Sequence, residues 1–199
     1  MHKGPLGPMN QEPDEQARVR AVLDRKPGAF EALVRDYQKL CWHIVFRMVG
    51  NPDDARDLCQ ETFLRVHRQL HQFRFECPLK SWIGRVAYSI ALRHLERRRA
   101  ARVISFDDDD EGALESLADE SFDLEAASAD EEQAVHLREA VDSLPAVPRM
   151  LVTLYHLEEL SIAEIASITS MSEGTIKSHL FRARLSLRDS LRRRGVVEP

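Results

Sequence analysis

Between Leu160 and Arg184 the chain reads LSIAEIASITSMSEGTIKSHLFRAR, and no other stretch restricts the possible folds as strongly. Ile162, Ile165 and Ala166 recur at helical spacing, Ser170-Met171-Ser172 interrupts them, and Ile176, Leu180, Ala183 and Leu187 resume the apolar stripe. Two amphipathic helices with so short a break between them form a helix-turn-helix. Ser172 predicts the N-cap of the second helix, because its hydroxyl can accept from first-turn amides that lack a partner. Gly174 predicts a close approach by another backbone. With Ile176, Leu180 and Ala183 turned inward, Lys177, Ser178, Phe181 and Arg182 face outward and Thr175 opens the helix. When such a helix enters a major groove, Lys and Arg meet guanine acceptors or phosphates, and hydroxyls read either kind of base. Periodicity alone also allows a helical hairpin with a solvated basic face.

Composition narrows the setting. A chain of 199 residues with 43% hydrophobic content forms one or two domains with their own cores. No apolar run approaches the ~18 residues of a membrane span, and no charged start leads into an apolar segment, so a soluble, cytoplasmic protein without membrane association is expected. Cys41, Cys59 and Cys77 form no CxxC pair and read as reduced thiols. His67 and His71 lie one helical turn apart, but no Cys or carboxylate completes a ligand spacing, and neither metal nor cofactor is expected. The net charge of −5 conceals a segregation: Val103 to Glu132 holds 13 acidic residues and no Lys or Arg, leaving 20 acidic against 28 basic residues elsewhere. A basic body with a separate acidic segment suits a nucleic-acid binder.

Residues 1–14, with three Pro and two Gly, are expected to be disordered, and Met9 offers a second start. Val19, Val22 and Leu23 mark one helix, and Phe30 to Met48 a second with a buried face, stopped by Gly50-Asn51-Pro52. Asn51-Pro52-Asp53-Asp54 starts a third, with a cap, a first-turn proline and acids suited to the positive helix end. Its inward residues are Ala55, Leu58, Cys59, Thr62, Val66 and Leu70; Asp54, Asp57, Gln60, Glu61 and Arg65 lie on the other face. Phe73 to Ser81 reads as a loop. Ser81-Trp82-Ile83 then opens a helix with Arg85, Arg93, Arg97, Arg98, Arg99 and Arg102, a combination able to track a phosphate backbone beside unstacked bases. Residues 103–132 form an acidic linker, with Asp107 to Asp110 in a row, that could also fold back on Arg97 to Arg102 as a mask. Glu131 to Leu144 is helical with Ala134, Val135, Leu137, Val141 and Leu144 apolar, Pro145 ends it, and Pro148 to Leu157 is the next helix. The fold class is all-α, with two small helical domains at 15–102 and 133–199.

SEGTIKSHLFRARLSLR resembles the recognition-helix signature of region 4 in the extracytoplasmic-function sigma factors of the sigma-70 family, and LPAVPRMLVTLYHLEELSIAEIA resembles its lead-in. NPDDARDLCQETFLRVHRQL is similar to sigma region 2.2. The resemblance implies that Asp54, Asp57, Gln60 and Glu61 dock on core RNA polymerase. It implies that Thr175, Lys177, Ser178, His179 and Arg182 meet minus-35 promoter DNA. It implies that the loop from Phe73 to Ser81, with Arg85 and Ser89, serves the minus-ten element, where relatives capture a flipped base. An anti-sigma factor is a further partner it admits. Three positions depart from the family pattern: Arg56 replaces an acid, Ser89 stands where an Asn is usual, and His179 where Arg is common. His179 would make binding sensitive to pH near neutrality.

No P-loop, GxSxG, Rossmann or HExxH motif is present, so no enzymatic activity is expected. Two alternatives remain: a helix-turn-helix transcription regulator independent of polymerase, and a sigma-like decoy that binds polymerase without opening promoters. The lack of a long additional C-terminal segment predicts control from outside the chain.

Overall fold

Eight α-helices and one 3-10 turn make up the regular structure of residues 12–104 and 130–194, the residues that this computed structural model describes. They are α1 (Glu12–Leu23), α2 (Ala29–Val49), α3 (Pro52–Gln69), the 3-10 turn Leu70–Gln72, α4 (Leu79–Ile104), α5 (Asp130–Asp142), α6 (Ala146–His156), α7 (Ile162–Thr169) and α8 (Glu173–Arg193).

Local chemistry sets the boundaries. Gly50 takes a left-handed conformation, φ 75°, and its N–H donates to the Phe46 carbonyl, which closes α2. Asn51 then caps α3, its side chain accepting from the amides of Asp53 and Asp54 at 2.9 and 3.0 Å, with Pro52 in the first turn. Replacing Asn51 by Ala is expected to cost about 1 kcal/mol of stability, read as a lower denaturation midpoint at unchanged slope. Ser161 and Glu164 form a reciprocal capping box at the start of α7.

In the first half α2 packs against α3 and α4; in the second, α6, α7 and α8 pack together with α5 against α8. Ile44 and Met48 of α2 and Ile83 and Ile90 of α4 are fully buried, as are Met150, Leu151 and Leu154 of α6 and Ile165 and Ile168 of α7. Each such side chain contributes roughly 1.5–3 kcal/mol by leaving water. The two halves also press on one another, α6 against α2 and α7 against α4, so the buried clusters are continuous. Periodicity could not show this, because it reports which face of a helix is apolar and not which element covers it.

Several boundaries differ from expectation. α1 begins at Glu12, so residues 12–14 are helical, while 1–11 lie outside the described residues. Leu23 is exposed rather than inward. α4 starts two residues before Ser81, because the Pro78 carbonyl accepts from the amides of Ser81 and Trp82 and the Glu15 carboxylate accepts from Leu79 N–H. The expected loop at 73–81 is therefore shorter. α5 exposes Val135 and Leu137 and buries Ala140, with Leu144 buried just beyond its end; a helix seated on α8 along one narrow stripe leaves its other apolar residues in water. Pro145 is the N-cap of α6, and Pro148 sits in that helix's first turn, where a missing amide hydrogen costs little. Gly174 is exposed and meets no approaching backbone; a Cβ there would find only Ser172 Oγ, at 3.9 Å. The acidic stretch from 105 to 129, including Asp107 to Asp110, and its folding back on the arginines lie outside the described residues, as do 195–199.

Cys41 and Cys59 are held as neutral thiols. Burial pushes Cys59 up to about 12 and Cys41 well above the ordinary thiol range. His67, half of the His pair, packs its ring edge-on to Phe30 at 4.8 Å between centroids.

Candidate nucleic-acid and polymerase interfaces

The second helix of the helix-turn-helix is presented by its caps and its buried stripe. α7 ends at Ser170, φ 60°, and Ser172 Oγ accepts from Thr175 N–H at 3.1 Å and shares a 2.8 Å hydrogen bond with the Thr175 hydroxyl. Ile176, Leu180 and Ala183 are buried, which orients the opposite side of α8 outward. Thr175, Lys177, Ser178 and Arg182 are exposed, and His179 is half-buried at the edge of that face. Lys177 Nζ lies 3.3 Å from Glu173, and Arg182 Nε donates to the Ser178 carbonyl at 3.4 Å, contacts that phosphate or base acceptors could replace. Phe181, 63% exposed, stands among these polar groups. An apolar ring in this setting can meet a thymine methyl.

Around the start of α4 the aromatic side chains divide into one inside and one outside. Phe73 is 7% exposed, its ring centroid 5.4 Å from that of Trp82 and 4.7 Å from that of Phe75. Phe75 is 41% exposed on a left-handed backbone, φ 59°. Phe73 thus belongs to the packing beneath the loop, and Phe75 supplies the accessible ring. No sequence signal separates the two rings, since either could turn in. Arg85 does not point freely into solvent: its guanidinium donates to the Ser167 carbonyl at 2.8 Å and to Ser167 Oγ at 3.2 Å. Lys80 forms an ion pair with Glu164. Ser89 is half-buried, and both its carbonyl and its hydroxyl accept from Arg93 at 3.1 Å.

On α3 the four predicted docking residues separate into two pairs. Asp57 and Gln60 are exposed. Asp54 is half-buried, with Oδ2 3.5 Å from His94 Nε2 and 3.4 Å from Arg98 of α4. Glu61 pairs with Arg65 at 2.9 Å. Arg56, the departure from the family pattern, pairs with Asp53 at 2.6 Å, outside this set. Leu64, 51% exposed, lies three and four residues after Glu61 and Gln60 and so extends their face. Its apolar character at an outward helical position was the available signal. In the C-terminal arginine run, Arg194 pairs with Glu139 of α5.

Residues 33–101 match the family model for sigma-70 region 2, and residues 135–187 match that for sigma-70, region 4. The ECF RNA polymerase sigma factor SigE of Mycolicibacterium smegmatis is 30% identical over 185 residues, spanning 90% of this chain and 70% of its own length. RNA polymerase sigma-H factor of Pseudomonas aeruginosa is 31% identical over 188 residues, 92% of this chain and 96% of that protein. This chain belongs to the extracytoplasmic-function sigma factors of the sigma-70 family. Sigma factors are DNA-binding transcription-initiation factors and not enzymes. The fold agrees. CnrH, solved with the cytosolic domain of CnrY, superposes with a TM-score of 0.60 at 18% identity, covering 88% of this sigma factor and 95% of that chain. The sigma factor RpoE from Bartonella quintana, solved with the anti-sigma factor NepR, gives 0.61 at 21% identity, covering 83% and 98%. No helix among the described residues of the sigma factor is long and apolar enough to cross a membrane.

Two titratable groups of this sigma factor sit where its halves meet. His43 Nδ1 is 2.7 Å from Glu158 Oε1, both largely buried. Burial lowers the His43 pKa below its ordinary 6.5, and the opposing hydrogen bond and charge of Glu158 do not overcome it; Lys39 and Arg47 act with burial. The unfolded chain then binds more protons than the folded one below about pH 6.5, so stability is lost as pH falls through that region and is fully present above it. Burial alone would raise Glu164, but Lys80 and the Ser161 hydrogen bonds outweigh it and hold the carboxyl below its ordinary range. Its contribution is present above the ordinary carboxylate pKa and lost in stronger acid. Melting midpoints should therefore decline on acidification from about pH 7 to 5, with a shallower decline for His43→Gln. An identical slope in that variant would remove His43 from the account.

Proposed function

We propose that this sigma factor joins core RNA polymerase in the cytoplasm and directs it to promoters, with residues 15–102 and 133–199 acting as the two binding modules. Thr175, Lys177, Ser178 and Arg182 of α8 enter the minus-35 major groove, with His179 at the edge and Phe181 available to a thymine methyl. The α4 start serves the minus-ten element through Arg85, Ser89 and the loop anchored by Phe73, with Phe75 as the ring within reach of an unstacked base. Asp57 and Gln60 lead the polymerase-docking face, flanked by Asp54, Glu61 and Leu64. An anti-sigma factor is a further partner, as in the solved complex of RpoE with NepR.

The observation that supports this reading best is the capped, exposed polar face of α8 behind a buried stripe in a chain that also carries region 2. Run-off transcription with purified bacterial core polymerase and a pool of promoter fragments tests it. Specific transcripts that require the protein are the expected result. Core binding without transcripts would favour a decoy, and DNA binding that ignores core would favour a conventional regulator.

A further inference from the structure

α4 begins without a side-chain cap from the loop that leads into it. Pro78 stands just before the helix, and its carbonyl accepts from Ser81 N–H at 2.9 Å and Trp82 N–H at 3.1 Å, but proline has no side-chain oxygen to offer the first-turn amides. The missing acceptor comes from α1, 64 residues earlier, where the half-buried Glu15 presents Oε2 to Leu79 N–H at 3.2 Å. Leu79 is fully buried, so an amide left without a partner there is costly, and a carboxylate suits the positive end of a 26-residue helix. α1 also touches the 3-10 turn Leu70–Gln72, from which the chain enters the same loop. Buried Val19 and Val22 and an ion pair between Arg18 and Asp36 of α2 hold α1 in place. Arg74, Phe75, Glu76 and Cys77 make no backbone hydrogen bond among the described residues; Phe73 N–H bonds to the Leu70 carbonyl at 3.1 Å at one end, and the Pro78 carbonyl is engaged at the other. α1 thus braces both ends of a loop whose middle has no backbone ladder.

We propose that Glu15 is a positioning residue for promoter opening: reaching across from α1, its carboxylate caps α4 and so fixes the loop of residues 73–78 in the shape that presents Phe75 to an unstacked base. The physical link is short. Phe75 sits on a left-handed backbone, its ring 4.7 Å from that of the buried Phe73, and Phe73 in turn lies 5.4 Å from Trp82 in the first turns of α4. If the first turn of α4 frays, Trp82 loses its fixed place and both rings lose their support. A loop that is correctly shaped only part of the time binds its ligand more weakly by that fraction. Glu15, Leu79 and Phe75 all belong to the first half of the chain, so the brace does not depend on where the second half lies. The role in opening rests on the assignment of this loop to the minus-ten element, but the cap itself does not.

Full-length Glu15→Ala and Glu15→Gln, set beside the parent, provide the test. Glutamine keeps an oxygen that can accept from Leu79 N–H while removing the charge. Hydrogen exchange in the free protein reads the cap, through the amides of Leu79, Ser81 and Trp82. Glu15→Ala is expected to speed their exchange about fivefold, the worth of one helix cap, and to leave the amides of α6 and α8 unchanged. Binding by the reconstituted holoenzyme reads the loop, using a promoter fragment recovered by run-off transcription and built as a fork with its minus-ten segment single-stranded. Here Glu15→Ala should bind the fork about fivefold more weakly, with its affinities for core polymerase and for minus-35 duplex at parental values, and Glu15→Gln should recover part of the loss. Unchanged exchange at Leu79 in Glu15→Ala overturns the proposal, as does faster exchange with parental fork affinity. Equal losses of fork, duplex and core binding would show general loss of structure and overturn it too, and a Gln variant as weak as Ala would reject the hydrogen-bonded cap. A parent that gives no transcripts removes the promoter reading, and with it the part of Glu15 in opening, while exchange at Leu79 still decides the cap.

Discussion

The Lys177→Ala, Arg182→Ala double variant should lose minus-35 duplex binding by ~2–6 kcal/mol while melting at the same temperature as its parent. Each side chain that contacts a base edge contributes about 1–3 kcal/mol of recognition, and loss of a phosphate contact weakens all sequences alike. Both contacts are local to α8: among the described residues Lys177 pairs with Glu173 one turn away and Arg182 donates to the Ser178 carbonyl, both at the exposed surface. Exposed pairs of this kind are worth little in the free protein. Electrophoretic or anisotropy titrations at a stated salt concentration, set beside thermal melts, separate the two effects. Full-strength binding by the double variant would reject the proposed groove face of α8.

Ile176→Ala should have the opposite signature, with binding lost because the helix itself is lost. Ile176 is completely buried under α8, in the same cluster as Ile165 and Ile168. Truncating such a residue removes transfer energy and leaves a cavity, costing about 2–5 kcal/mol, a large part of the ~5–15 kcal/mol that typically separates folded from unfolded domains. Circular dichroism melts should show the loss directly, and DNA affinity should fall in proportion to the fraction unfolded. Retained stability would show that α8 is held chiefly by α5 and α6 through its C-terminal half, and not by the helix-turn-helix packing.

Much of this molecule is local in origin and could be read from the chain. Asn51-Pro52-Asp53 dictates the start of α3 because the cap, the first-turn proline and the helix-end charge act within four residues. Ser172 and the Ile176, Leu180, Ala183 stripe likewise place Lys177, Ser178 and Arg182 outward, since a period of 3.6 residues leaves no other side for them. The sequence by itself therefore determined the helices, the helix-turn-helix and the candidate reading face. Only the tertiary structure decided which cations and rings are available. Whether Phe73 or Phe75 turns inward depends on Trp82, and whether Arg85 faces solvent depends on Ser167, 82 residues away. Gly84 carries no pattern that predicts Ile168 above it. Periodicity and capping are short-range properties of one helix, whereas the covering of its apolar face is settled by whichever element packs there with the better fit.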